Sequence, residues 1–227
     1  SAEVNAKVVI NAGAADNAIT ASASANFGDT ITAGAGDDTI TFTTAGFTAA
    51  DSVDGGAGTD TIVTSDDATV VDADFTLVTN VEAISGTATK DLDLTLGALA
   101  DAAGIRTVTF TDEASAGDTV TIGAGFTSAV TVVLDDANAA GSVVNAADYV
   151  GAGLTVQASI ADLRGNTNTI TGSANTDDVL SVTLGAGTML AQTGMTDIET
   201  ITVTDADADT DVTGTITLAN QNATYTN

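Results

Sequence analysis

Gly55-Gly56-Ala57-Gly58-Thr59-Asp60-Thr61-Ile62-Val63 compresses a tight turn and the start of a strand into nine residues. The glycines let the backbone turn sharply, the aspartate points into the turn, and the aliphatic residue two places later seeks a core. Residues 33–41 repeat the pattern with Ala33 in place of the first glycine and with Gly34, Gly36 and Asp38 in the remaining positions. Residues 172–180 repeat it more loosely, with Ser173 and Asn175 replacing two glycines and Asp177 in the acidic position. Around these copies the aliphatic residues step by nine: Ile10 to Ile19, Ile31 to Ile40, Val53 to Ile62, Ile170 to Val179. The acid or amide two places before each moves with it, from Asp29 to Asp38, Asp51 to Asp60 and Asn168 to Asp177. A nine-residue step with a turn in one half and a core residue in the other predicts one half-coil of a right-handed parallel β-solenoid.

A longer repeat contains these short ones. Residues 51–62 lie over 168–179 at an offset of 117, and Val81-Glu82-Ala83-Ile84 lies over Ile198-Glu199-Thr200-Ile201 at the same offset. Two matches in one ungapped register imply two related modules, taken as 1–110 and 111–227, which either stand apart or run together as one β domain.

The nonapeptide at 55–63 fully matches the G-G-x-G-x-D-x-U-x repeat, and the chain on this ground resembles the RTX, or hemolysin-type calcium-binding, family. In that family the turns of successive coils stack and hold calcium through the aspartates and turn carbonyls. The resemblance implies Ca2+ as the bound ion. It implicates Asp38 and Asp60 with Gly34, Gly36, Gly56 and Gly58, then Asp29 and Asp51 from the preceding coils, and Asp177 from the degenerate copy. The copies are isolated among Thr/Ala-rich β segments, which is more similar to bacterial S-layer proteins and large RTX surface adhesins than to the unbroken arrays of secreted toxins. The competing reading of every one of these aspartates is a turn cap that accepts backbone amides.

Composition narrows the chemistry. The 227 residues hold 4 Lys+Arg against 31 Asp+Glu, a formal net charge of -27, with no His, Cys, Trp or Pro. Without Cys there are no disulfides and no thiolate metal sites; without His there is no imidazole base or ligand. Four cations cannot line a nucleic acid, so no nucleic-acid partner is expected. Paired carboxylates can serve a glycosidase, but such clefts are lined with aromatics and this chain is 4% aromatic, so no enzyme is expected. A hydrophobic content of 44% and mean hydropathy of +0.27 are too high for an acidic disordered tail, yet no stretch is long enough for a membrane span. The chain opens on Ser1 without a leader, which reads as a processed product or an excised segment.

Between the motifs, alternations such as Thr107-Val108-Thr109-Phe110 and Thr119-Val120-Thr121-Ile122 predict short strands with Thr outward. Residues 96–104 and 146–150 read as short helical turns. Residues 117–125 repeat the opening of 28–36 but carry Phe126-Thr127 where Asp37-Asp38 stood, a coil kept with its metal lost. The run from Asp205 to Asp211 begins like a calcium loop but lacks the glycine and the closing glutamate of an EF-hand, and a solvated acidic loop is preferred. Asn222-Ala223-Thr224 is a lone glycosylation sequon. Glu82 and Glu199 are expected at strand ends, paired with backbone amides.

The expected fold is all-β: parallel β-solenoid or β-roll segments with calcium-binding turns, continued by short-stranded sheets. The expected role is an extracellular bacterial surface protein that binds calcium and assembles with itself into a layer, sheet or filament, with cell-surface polysaccharide as a further partner. The alternatives are an extender or binding segment of a large RTX adhesin and, more remotely, an ice-binding solenoid. The last requires a regular Thr lattice, against which the drifting spacing of the Thr-x-Thr rows argues.

Overall fold

The computed structural model describes residues 7–23, 27–43, 46–87, 90–111, 117–135, 141–159, 161–163, 168–184 and 194–205. The strands in chain order are β1 (Val9–Asn11), β2 (Ala18–Thr20), β3 (Thr30–Ala35), β4 (Thr39–Phe42), β5 (Ser52–Ala57), β6 (Thr61–Thr64) and β7 (Ala68–Val70). They continue as β8 (Val78–Thr79), β9 (Ala83–Gly86), β10 (Leu92–Leu96), β11 (Thr107–Thr111), β12 (Thr119–Ile122) and β13 (Val130–Asp135). The last are β14 (Val143–Asn145), β15 (Leu154–Ser159), β16 (Thr169–Thr171), β17 (Val179–Leu184), β18 (Met195–Thr196) and β19 (Thr200–Asp205). Among the described residues a 3-10 turn (Asp72–Phe75) and a short α-helix, α1 (Ala98–Ala103), interrupt them.

The strands wind into a parallel β-solenoid. A nine-stranded sheet in the order β19-β17-β15-β13-β11-β9-β6-β4-β2 runs along the described chain. A four-stranded sheet, β1-β3-β5-β8, accompanies its first part, and a six-stranded sheet, β18-β16-β14-β12-β10-β7, accompanies the rest. Every pairing is parallel and joins a strand to its counterpart one coil away. Because pairing at each coil edge is satisfied by the next coil, short strands of two to six residues suffice.

The inward residues explain the alternation. One column of the long sheet runs Ile19, Ile40, Ile62, Ile84, Val108, Val132, Val156, Leu180, Ile201, each directly paired with the next. All are buried. The four-stranded sheet contributes Ile10, Ile31, Val53 and Val78, and the six-stranded sheet Val70, Leu94, Val120, Val144, Ile170 and Met195. With few aromatics available, Phe42, Phe47 and Phe75 gather where the core changes partner sheet, their centroids 5.1 and 5.5 Å apart in sequence.

The coil is longer than two nonapeptides. Steps along the core column are 21, 22, 22, 24, 24, 24, 24 and 21 residues rather than 18. The nine-residue step is real but crosses one corner only, from Ile31 on β3 to Ile40 on β4; the return stretch to Val53 takes the remainder. The 110/111 module boundary falls inside β11, and one hydrophobic cluster extends from Ile19 to Ile201.

Residues 98–103 form the helix expected near there. Asp72 accepts the amides of Gly97 and Ala100 at 2.8 and 2.9 Å, and Gly104 closes the helix with φ 113. Residues 146–150 form only a turn, in which buried Tyr149 donates its hydroxyl to the Ser128 carbonyl at 2.6 Å.

Candidate metal centre

The glycine-rich ends of β3 and β5 stack directly on one another. Gly34 pairs with Gly56 and Ala35 with Ala57. Gly56 has φ 105, and a Cβ there would lie 1.8 Å from the Gly34 carbonyl oxygen. At Gly55 a Cβ would lie 2.0 Å from the Asn80 carbonyl and 2.6 Å from Asp60 Oδ2. No side chain fits either position, and at Gly55 the backbone lies directly between the Asn80 carbonyl and the Asp60 carboxylate. Gly36 and Gly58 continue the stack outward, with Gly58 packed against the Gly36 carbonyl.

Asp38 and Asp60 sit beneath these glycines, 1% and 0% exposed. Asp38 Oδ1 accepts the Asn17 amide at 2.7 Å, Asp60 Oδ1 accepts the Asp38 amide at 2.8 Å, and the Glu82 carboxylate accepts the Asp60 amide at 2.8 Å. Each carboxylate therefore reaches back one coil and caps the strand start below it. The second oxygens, Asp38 Oδ2 and Asp60 Oδ2, are buried with no hydrogen-bond partner.

Asp29 and Asp51 stand elsewhere. They are not from preceding coils; they occupy the other corner of the same coils, before β3 and β5. Asp29 Oδ1 accepts the Val8 amide and Oδ2 the Ser22 amide, both at 2.8 Å. Asp51 Oδ1 accepts the Asp29 amide at 2.7 Å, and Oδ2 accepts the Thr48 amide and hydroxyl at 2.7 and 3.0 Å. All four oxygens face donors, the arrangement of a turn cap.

The degenerate copy is placed one residue away from its sequence alignment. Asp177 is exposed, whereas Asp178 is buried and accepts the Leu154 amide at 3.0 Å and the Ser173 amide at 2.5 Å. The pairing of Val156 with Leu180, not Val179, causes the slip. A one-residue shift exchanges the inner and outer faces of a strand. Asp118, in the copy expected to lose its metal, caps in the same way by accepting the Leu92 amide at 2.6 Å. Asn168 accepts the Ser142 amide at 2.7 Å, and Glu199 the Asp178 amide at 3.2 Å. Asp118 and Asp178 were legible by one rule, an acid two residues before a buried aliphatic, applied in the structural register.

The chain matches no protein-family model, no curated protein and no solved structure. The RTX resemblance therefore stands on the nonapeptide copies alone.

Electrostatics act alike at the two corners. Burial pushes the Asp60 carboxyl above its ordinary value, partly opposed by the Asp38 amide, while Asp38, Glu82 and Asp37 add repulsion. Burial also raises Asp51, against the Asp29 and Thr48 donors, with repulsion from Asp29. The ion pairs among the described residues, Lys90 with Asp67 at 3.7 Å and Arg106 with Asp101 at 3.0 Å, involve none of these acids.

A calcium ion suits the Asp38–Asp60 corner on two counts: a spare buried oxygen on each carboxylate, and, beside Asp60, the Asn80 carbonyl packed so closely on Gly55 that no Cβ fits there. Among the described residues no three acidic side chains converge on one point. The remaining ligands would thus come from the backbone, which calcium accepts readily and magnesium does not. Asp29 and Asp51, with every oxygen engaged, offer a poor fit. Residues 206–211 and the sequon at Asn222 lie outside the described residues. No helix among the described residues is long and apolar enough to cross a membrane.

Proposed function

We propose that this chain is an extracellular, non-catalytic structural protein of a bacterial surface. In this reading calcium at the Asp38–Asp60 turns stiffens the solenoid, and the solenoid assembles with itself. The observation that carries the reading is the pair of buried, unpartnered carboxylate oxygens on consecutive coils of a chain with net charge -27. Self-repulsion at that charge opposes a compact rod, and each bound divalent cation removes two charges locally. Coil-on-coil stacking supports an elongated body, which also suits an adhesin extender.

Thermal unfolding in chelator and in millimolar calcium tests the proposal. Binding to the native state alone adds RT ln(1 + [L]/Kd), about 2.7 kcal/mol per site at a hundredfold excess. At roughly 2–4 °C per kcal/mol for a chain of this size, Tm rises by about 5–11 °C. Asp60→Asn removes the response. A Tm indifferent to chelator refutes the calcium assignment, and electron microscopy that shows only single rods with calcium favours the extender.

A further inference from the structure

The outer face of the nine-stranded sheet is a regular array, although the sequence spacing that builds it is not. The first outward column runs Ala18, Thr39, Thr61, Ala83, Thr107, Thr131, Thr155, Val179, Thr200. The second, two residues along each strand, runs Thr20, Thr41, Val63, Ser85, Thr109, Val133, Gln157, Ser181, Thr202. The uneven coil steps are absorbed in the return stretches, so the strands stay in register and the drift that argued against a lattice does not reach the face.

Neither column contains a charged or an aromatic residue, in a chain of net charge -27. Hydroxyl residues occupy twelve of the eighteen positions. Neighbouring strands lie about 4.8 Å apart and same-face residues about 6.7 Å apart along a strand, so the face is a two-dimensional grid about 38 Å long over nine strands, indented in its second column at Val133, Gln157 and Ser181 by a groove that Asp162 also lines. Thr is stiff at χ1, which holds each hydroxyl and methyl in a repeated position. Each hydroxyl both donates and accepts.

We infer that this face binds ice. Ice is a neutral, periodic array of molecules that each donate and accept hydrogen bonds. A neutral grid of hydroxyls and methyls can order water in the same two dimensions, and an acidic surface with its hydrated counterions cannot. The lack of aromatics disfavours sugar chains, which stack on aromatic platforms. A second copy would have to bury half-exposed hydroxyls without matched partners, at a cost per unmet group.

The test is growth of a single ice crystal in a solution of the full chain, read as faceting and as thermal hysteresis. The intact chain facets the crystal. The double variant Thr131→Tyr/Thr155→Tyr, two adjacent positions of the first column, lowers hysteresis at least tenfold with an unchanged circular dichroism spectrum and Tm. If those variants do not fold, Thr131→Lys/Thr155→Lys is measured in the same way. Thr121→Lys, on the outer face of the six-stranded sheet, keeps full hysteresis. Absence of faceting by the intact folded chain overturns the inference, as does equal hysteresis in the folded double variant. So does retention on insoluble cellulose or chitin, or self-association, that the double variant abolishes while ice is unaffected.

Discussion

Asp51→Ala probes whether the acids of the glycine-poor corner act as caps or as metal ligands. The substitution deletes the acceptor of the Asp29 amide at 2.7 Å and of the Thr48 amide at 2.7 Å, together with a 3.0 Å bond from the Thr48 hydroxyl. The hydroxyl can rotate to another partner; the two amides cannot. Each amide left without an acceptor costs about 1–3 kcal/mol, or about 3–5 kcal/mol for the pair after allowance for partial exposure at Thr48. Removing a buried carboxylate whose protonation is already favoured by burial returns part of this, which leaves a net loss of about 2–4 kcal/mol. Asp51→Asn keeps one acceptor oxygen and places an amide against a donor, so its loss is smaller, about 1–2 kcal/mol. The assay is thermal and urea unfolding of both variants in chelator and again in calcium. Tm falls by about 5–15 °C for Ala and less for Asn, by the same amount in both buffers. A loss below about 0.5 kcal/mol, or one that appears only with calcium present, refutes the capping assignment.

Four further outcomes are expected. Asp51 and Glu199 have carboxyls raised above 3.8 and 4.5 by burial first, so the folded state holds their protons more tightly than the unfolded chain. Their contribution is fully present below those ordinary values and is lost as pH rises through the folded ones; Tm in chelator therefore increases as pH falls from neutral toward the ordinary carboxylate range, and a Tm that falls over that range contradicts the assignment. Gly56→Ala, which meets the Gly34 carbonyl at 1.8 Å from a backbone at φ 105, prevents folding or lowers stability by more than about 3 kcal/mol. Gly13→Ala, with nothing within 4 Å of its Cβ, changes Tm by less than about 2 °C. Asp178→Ala destabilises the chain by about 2–4 kcal/mol and Asp177→Ala by less than about 0.5 kcal/mol in the same unfolding assay, and the reverse order restores the alignment register.

The alternation in Thr39-Ile40-Thr41-Phe42 and its counterparts was enough to establish short half-buried strands, and the recurring acid two places before an aliphatic marked the strand starts. Both are local patterns: side-chain direction alternates along one strand, and a capping acid lies within a few residues of the core position it serves. The strand-end role expected of Glu82 and Glu199 was legible for the same reason. Coil length was not. It depends on how much chain the return stretches take up between Phe42 and Val53 or between Phe110 and Val120, where no periodic pattern constrains the count. Only pairing across 21 to 24 residues decided that Leu180 rather than Val179 faces the core, and with it that Asp178 rather than Asp177 is buried. Asp29 and Asp38 look alike in the sequence, each two residues before an isoleucine. The tertiary structure separated them, because Ser22 and Val8 fill the oxygens of the first while the stacked glycine turns leave one oxygen of the second without a donor.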